Sequence, residues 1–324
     1  MRKLAIVATA LTFVVIMLGA FVRLSHAGLG CPDWPGCYGH LDWPVQEHEI
    51  QRANQVFPER PVEPDKAWKE MVHRYLAGTL GLLILGLVVA NFRRPPDRRQ
   101  TPLVMGLAAL ILFQALLGMW TVTLLLKPLV VTAHLLGGML TMAGLAWLVI
   151  RLGGDRSRKL PPSGSLARWA LLVVLLQIAL GGWTSANYAA LACPDFPRCQ
   201  GQWLPETDFG EAFVLWRGLG IDYEGGVLDG PARTAIHFTH RLGAVLVLLV
   251  LGWLGLRMLR GEPSERHWGL LLLVALAIQW LLGIGNVVMG LPLWLAVMHN
   301  GGAALLLFIL VNINARRNPQ RRFT

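Results

Sequence analysis

The sequence predicts an all-α integral membrane protein in which eight transmembrane helices form two parallel-repeat four-helix bundles. Three observations favour this fold class: long apolar runs, short basic segments between them, and a duplication of the chain. Of the 324 residues, 54% are hydrophobic and 15% are charged. Each apolar run has about 18 to 25 residues, enough to cross about 30 Å of hydrocarbon as a helix. The eight runs lie at 4–23, 75–92, 102–126, 129–150, 168–187, 236–259, 268–290 and 292–313.

The first run also fits a cleaved signal peptide, because Met1-Arg2-Lys3 precedes it and Ser25-His26-Ala27 resembles a cleavage site. However, the run is long for the apolar part of a signal peptide. Its counterpart at 168–190 lies in the middle of the chain, where it cannot be cleaved. We therefore expect the first helix to remain in the protein.

The distribution of charge predicts the orientation in the membrane. Short segments at both termini and between apolar runs hold 18 of the 29 Lys and Arg residues but only four of the 19 acids. Short loops rich in Lys and Arg mark the cytoplasmic face, so we expect cytoplasmic termini. No Arg- and Ser-rich transit extension precedes the first helix, so we expect a bacterial inner membrane. The net charge of +10 is mostly this orientation signal, and no soluble basic face suggests binding to nucleic acid.

The chain is duplicated, and the repeated residues include Cys and His rather than packing residues alone. Residues 31–37 (CPDWPGC) return as 193–199 (CPDFPRC), and Leu18-Gly19 returns as Leu180-Gly181. Gln114 and Gly118 in the third run correspond to Gln279 and Gly283 in the seventh. Since each half has four crossings, both halves begin on the same side of the membrane, which predicts parallel repeats.

This repeat divides the chain into three parts. Residues 1–150 are predicted to form an N-terminal four-helix bundle and residues 168–324 a C-terminal one. The segment 151–167, which is basic and contains Pro161-Pro162, is the predicted cytoplasmic linker. A cofactor would lie in the core of a bundle, between facing helices.

The four cysteines form two Cys-x5-Cys pairs, Cys31 with Cys37 and Cys193 with Cys199. The predicted orientation places them in an oxidising compartment, and the spacing favours a local disulfide in each loop. A redox-cycling thiol pair is the alternative, because exposed disulfides are the labile ones. Zinc is disfavoured, since each pair offers two ligands at an atypical spacing, although His40 and His48 are near the first pair.

Four of the nine histidines recur in register: His73 and His134 in the first half, His240 and His299 in the second. Ionisable residues within membrane helices are costly and usually functional. Two imidazoles at similar depth on different helices of one bundle are the arrangement that bis-histidine ligation of haem iron requires. The alternative, a set of satisfied polar contacts, is weakened by the repetition.

The two halves differ beside these histidines. Glu70 stands one turn before His73, whereas His237 stands one turn before His240. A carboxyl group near a haem pocket can accept or relay protons, so the asymmetry indicates that one half performs chemistry while the other holds a cofactor. The arginines that follow, Arg74 and Arg241, suit either pairing with a haem propionate or snorkelling at the membrane interface.

With these motifs in place, the chain resembles the haem A synthase family, the haem O oxygenases of the cytochrome oxidase assembly pathway. The resemblance covers almost the whole chain: eight crossings, Glu-x-x-His-Arg at 70–74, His-x-x-His-Arg at 237–241, the later histidines His134 and His299, and the loop cysteines. It implies oxidation of the C8 methyl group of haem O to a formyl group by successive hydroxylations. Haem O synthase is the partner implied for substrate supply, and membrane lipid surrounds the bundles.

The resemblance also assigns the sites. Haem b falls on His240 and His299 in the C-terminal half. Substrate haem O falls on His73 and His134, with Glu70 as a further catalytic residue. The cysteine pair of the first loop resembles the family's disulfide proposed to affect substrate handling, and the second pair looks structural. No role is assigned to residues 200–235.

Two other function classes remain possible from sequence. A di-haem membrane cytochrome that exchanges electrons with quinone explains the four histidines equally well. It gives no reason for the difference between Glu70 and His237 or for the cysteine loops. A transporter built from parallel repeats predicts charged or broken helices near the bilayer midplane, whereas the polar residues here cluster at one end.

Overall fold

The computed structural model describes residues 1–93, 100–153 and 165–317. Within this part the chain is helical, with no β-strand. The helices are α1 (Arg2–Leu24), α2 (Glu47–Val56), α3 (Pro64–Phe92), α4 (Thr101–Thr123), α5 (Pro128–Arg151), α6 (Leu166–Ala186), α7 (Phe209–Ala212), α8 (Gly230–Leu259), α9 (Pro263–Val288) and α10 (Leu293–Arg317).

Eight of the described helices are long and apolar enough to cross a membrane, which confirms the prediction of an eight-span membrane protein. They are α1, α3, α4, α5, α6, α8, α9 and α10. The short helices α2 and α7 lie in the loops that carry the cysteines or follow them. Most of the predicted linker at 151–167, and residues 318–324 of the predicted C-terminal bundle, lie outside the described residues.

Two helices begin earlier than their apolar runs. α3 starts at Pro64 rather than near residue 75, and α8 starts at Gly230 rather than near residue 236. Proline near each start fits the first turn, where a missing N–H costs nothing, and the Asp229 carboxylate accepts the N–H of Ala232. His73 therefore lies more than two turns inside α3 and does not open it.

The helices of each half pack in the same cyclic order. In the first half α1 contacts α3, α3 contacts α4, α4 contacts α5, and α5 contacts α1. In the second half α6, α8, α9 and α10 repeat this ring. The halves meet where α1 and α5 pack against α10 and where α5 packs against α6. This order is compatible with two repeated four-helix bundles.

Candidate functional site

All four in-register histidines line one cavity of about 1510 Å³ that extends through both halves. In the first half His73 on α3 and His134 on α5 face each other, with ring centroids 6.5 Å apart. His240 on α8 and His299 on α10 hold the corresponding positions in the second ring of helices. The structure thus brings the sequence-predicted histidines together from separate helices into one cavity.

Each of these imidazoles lies against a glycine of a neighbouring helix. A Cβ atom added at that glycine would stand 3.0 to 3.5 Å from the imidazole Cε1. The four contacts are Gly19 with His73, Gly118 with His134, Gly181 with His240, and Gly283 with His299. A side chain at Gly19, Gly181 or Gly283 would press on the ring, so glycine is what allows each of these imidazoles to approach the neighbouring helix so closely. These are glycines that the duplication repeats, but the sequence did not reveal their role.

In the second half, each imidazole also has a glutamine neighbour. Gln177 Nε2 lies 3.1 Å from His240 Nδ1 and donates to the backbone carbonyl oxygen of His240 at 2.9 Å. Gln279 Nε2 lies 3.2 Å from His299 Nδ1 and donates to the His299 carbonyl oxygen at 3.0 Å. Two hydrogen-bonding contacts to one amide restrict the position of each ring.

The first half keeps part of this arrangement, because Gln114 lies beside His134 as Gln279 lies beside His299. The Nδ1 atoms of His73 and His134 are buried and have no hydrogen-bond partner among the described residues. Gln114 occupies the glutamine position of α4, yet its Nε2 is also unpartnered within the described chain. In α1, the residue four positions before Gly19 is Val15, which cannot form such a bond. The two halves therefore differ at His73, which has no glutamine neighbour on α1 where His240 has Gln177 on α6.

Both predicted local disulfides are present, with S–S distances of 2.05 Å for Cys31–Cys37 and 1.96 Å for Cys193–Cys199. No group of three or more His, Cys, Asp or Glu side chains in the described chain is arranged to hold a metal ion.

The two cysteine loops share one backbone design. The Asp33 carboxylate accepts the N–H groups of Tyr38 and Gly39, and Asp195 accepts those of Gln200 and Gly201. The N–H groups of Gly201 and Gln200 hold the pKa of the Asp195 carboxyl below its ordinary value. Burial raises the pKa of Tyr38 to about 12, and its hydroxyl donates to the Pro61 carbonyl oxygen.

Glu70 lines the cavity, and both of its carboxylate oxygens have partners. Oε1 accepts from Arg74 at 2.5 Å, and Oε2 accepts the backbone N–H of Cys31 at 3.0 Å. Arg74 also donates to the carbonyl oxygens of Asp33, Pro35 and Gly36 in the first cysteine loop. Glu70 and Arg74 therefore attach this loop to the helix turn that contains His73.

His237 and Arg241 do the same for the second loop without a carboxylate. The Cys193 N–H donates to His237 Nδ1 at 3.2 Å, and Arg241 Nε contacts His237 Nε2 at 3.3 Å. Arg241 also donates to the carbonyl oxygens of Cys193 and Arg198. Neither sequence-based alternative for the two arginines, propionate pairing or snorkelling, anticipated that both bind loop carbonyls.

The segment 200–235, to which the sequence assigned nothing, connects the halves outside the membrane helices. Lys127, between α4 and α5, is fully buried, and its Nζ donates to the carbonyl oxygens of Arg217 at 3.0 Å and Gly218 at 2.5 Å. The same ammonium lies 3.3 Å from the ring centroid of Trp216. No motif marked Lys127, because its partners are backbone groups 90 residues away.

Comparison with known proteins gives one consistent result. A sequence model of the family described as COX15-CtaA, cytochrome oxidase assembly protein, matches residues 2–311. A haem A synthase of Shewanella oneidensis is 48% identical over 310 residues, covering 94% of this chain and 92% of the relative. Haem A synthases of Beijerinckia indica and Mesorhizobium japonicum are 30% and 29% identical and cover 93% and 91% of this chain, and 88% and 84% of their own lengths.

Proposed function

This chain belongs to the COX15-CtaA family of cytochrome oxidase assembly proteins, and we propose that its two halves divide the work of a haem A synthase. The protein is an oxidoreductase that converts haem O to haem A. In the division that we propose, the first half binds haem O as substrate at His73 and His134. The second half binds haem b as a resident cofactor at His240 and His299.

The residues of the cavity fit a haem in each half. Each half presents two imidazoles from different helices to one space, as bis-histidine ligation requires. The facing glycines leave each ring free of a neighbouring side chain. In the first half the buried Nδ1 atoms of His73 and His134 have no hydrogen-bond partner among the described residues. Buried polar atoms are normally hydrogen-bonded, which favours a site that a ligand completes.

The glutamine contacts support placing the resident cofactor in the second half. A permanent ligand is best held by rings whose orientation the protein fixes, as Gln177 and Gln279 do for His240 and His299. A substrate must enter and leave in every turnover. The less restrained pair in the first half suits that exchange.

The shape of the cavity supports placing the substrate in the first half. Gly78 and Ala115 line it there, and a Cβ at Gly78 would meet open space. The equivalent positions in the second half carry Val245 and Trp280. Haem O bears a long isoprenoid tail that haem b lacks, and the smaller residues at Gly78 and Ala115 leave room for it in the first half.

Glu70 is the residue that we propose for the chemistry of the first half. It lies one helical turn from His73, on the same face of α3, and lines the cavity. Its carboxylate places a negative charge beside the substrate site, where it can stabilise developing positive charge or hold a proton. The second half has neutral His237 in its place. When bound, haem b supplies electron-transfer capacity.

We place the protein in the bacterial inner membrane with both termini cytoplasmic and the cysteine loops on the opposite side. The basic short segments support this orientation. The substrate is then supplied by haem O synthase within the same membrane, and the product serves cytochrome oxidase assembly. A substrate with an isoprenoid tail can reach the cavity from the lipid.

The activity is tested by expressing the protein in a host that makes haem O but not haem A, followed by extraction and chromatography of the haems. We expect haem A or its hydroxymethyl precursor, and none in the same host carrying the empty vector. A folded protein that contains only haem b, in membranes that contain haem O, would contradict the proposed function. That result would favour the di-haem electron-transfer cytochrome.

A further inference from the structure

Three arginines line the cavity within the described chain: Arg23, Arg74 and Arg241. The guanidinium groups of Arg74 and Arg241 bind the carbonyl oxygens of the cysteine loops. Arg23 differs, because its Nε is buried and has no hydrogen-bond partner, and it forms no salt bridge with any described acid. A partly buried cation that has no anion beside it is favourably placed to bind one.

The position of Arg23 relates it to the first histidine pair. It lies on α1 four residues after Gly19, the glycine that contacts His73. Residues four apart share a helix face, so the Arg23 side chain leaves α1 one turn beyond that contact, toward the end of the helix that precedes the first cysteine loop. The second half has Ser185 at the equivalent position, so the duplication does not repeat this cation.

The guanidinium is held in place by the second half of the protein. Its Nη2 donates to the Ser185 carbonyl oxygen at 2.7 Å, at the end of α6. Its Cζ lies 4.2 Å from the ring centroid of Tyr188, whose ring in turn stacks with His26 at 5.7 Å. The carboxylate of Glu224 binds Arg60 at 2.8 Å and not Arg23. Arg23 is thus oriented in advance, and its Nη1 forms no hydrogen bond with the described residues.

We propose that Arg23 binds a propionate carboxylate of the haem held between His73 and His134. Guanidinium groups recognise carboxylates through planar, charge-assisted hydrogen bonds, and a partly dehydrated site strengthens them. A porphyrin carries its carboxylates at one edge, so one such contact fixes its rotation in the site as well as its affinity. This inference rests on the proposed function, because it takes the substrate to occupy the first half.

The test compares haem O with its propionate dimethyl ester, which keeps the ring, iron and tail but removes the carboxylates. Both are titrated into the purified protein that already contains its resident haem, and binding is followed by absorbance. The wild-type protein should bind haem O at least about tenfold more tightly than the ester, the size expected for a hydrogen bond to a charged group. In Arg23→Met the two ligands should bind equally, at about the wild-type affinity for the ester.

Two further variants make the result specific. Arg52→Met removes the same charge from the exposed face of α2, outside the cavity, and should keep the wild-type preference for haem O. Arg23→Lys keeps a charge, which protects the fold, but has no planar group, so the preference should fall by several-fold.

An unchanged preference for haem O in Arg23→Met or Arg23→Lys would overturn the assignment of Arg23. The proposed activity on haem O would still stand. Failure of the wild-type protein to bind haem O at all, with its resident haem in place, would overturn the proposed function and the Arg23 assignment with it. The two failures are therefore distinguishable.

Discussion

Glu70 and His237 occupy equivalent places one turn before a cavity histidine, and each accepts the backbone N–H of a loop cysteine. Only Glu70 brings a negative charge. The carboxylate is buried, and its pairing with Arg74 keeps it attached to the cysteine loop. At this position the two halves make the same backbone contact and differ in the charge of the side chain. We place the reaction in the first half for this reason.

Glu70→Gln tests this role. The amide can still accept the N–H of Cys31, so we expect the loop to stay in place while haem A formation falls about 10²- to 10⁴-fold, the size typical of a positioned acid or base. Haem b content should be unchanged. Quantifying both haems by chromatography checks the prediction, with Glu59→Gln on the exposed loop as the control. Normal haem A formation in Glu70→Gln would remove Glu70 from the chemistry.

The glycines that face the histidines give a second prediction for single residues. In Gly283→Ala the new Cβ would stand 3.0 Å from His299 Cε1, so the ring must move. Overpacking of this kind costs about 1–3 kcal/mol, and we expect a reduced haem b content in the purified protein. Gly252→Ala on α8 is the matched control, because its Cβ would meet open space. Equal haem b content in the two variants would contradict the role assigned to Gly283.

At the scale of elements, one arginine attaches each cysteine loop to a membrane helix. Arg74 follows Glu70 by four residues and Arg241 follows His237 by four. Glu70 and His237 are the side chains that accept the N–H of the loop cysteine. Arg74 and Arg241 donate to comparable sets of loop carbonyls, so their removal should loosen the two loops alike. The costs should nevertheless differ. Arg74→Met leaves the buried Glu70 carboxylate without its cation, whereas Arg241→Met leaves a neutral imidazole.

We therefore expect Arg74→Met to lower stability by about 3–5 kcal/mol, the cost of breaking a buried ion pair. Arg241→Met should cost about 1–3 kcal/mol through lost hydrogen bonds. Thermal unfolding in detergent measures the difference, and the double variant Glu70→Gln with Arg74→Met should recover part of the loss. Equal melting temperatures for the two single arginine variants would argue against a buried charge as the cause.

The membrane-spanning helices were largely predictable from sequence, because each is a long and apolar segment. The starts of α3 and α8 were not, since their first turns are polar and extend beyond the apolar runs. The positions of the four histidines followed from the duplication. Their glycine and glutamine neighbours did not, because those contacts join different helices, although Gln114–Gly118 and Gln279–Gly283 had already recurred in the repeat.

At the scale of the whole molecule, the two halves are connected outside the membrane helices as well as through them. Arg60 in the first half forms ion pairs with Asp222 at 2.6 Å and Glu224 at 2.8 Å in the second. Lys127 binds the carbonyl oxygens of Arg217 and Gly218. Long-range contacts of this kind have no sequence signature, which explains why residues 200–235 received no role.

Lys127→Met should destabilise the contact between the halves by about 2 kcal/mol, because a cation–π contact and two charged hydrogen bonds are lost. Arg60→Ala should cost less than about 1 kcal/mol, since its ion pairs are partly exposed to water. Limited proteolysis of the 213–223 segment, compared between the two variants, measures the effect. Faster cleavage in Arg60→Ala than in Lys127→Met would contradict this ranking.

The division of labour between the halves is tested most directly by the haem b content of matched histidine variants, each purified as a monodisperse protein. We expect His73→Ala to retain haem b with an unchanged reduced spectrum while haem A formation is lost. His240→Ala should lose haem b itself. Loss of haem b from His73→Ala, with His240→Ala retaining it, would show that the resident cofactor lies in the first half and would contradict the account.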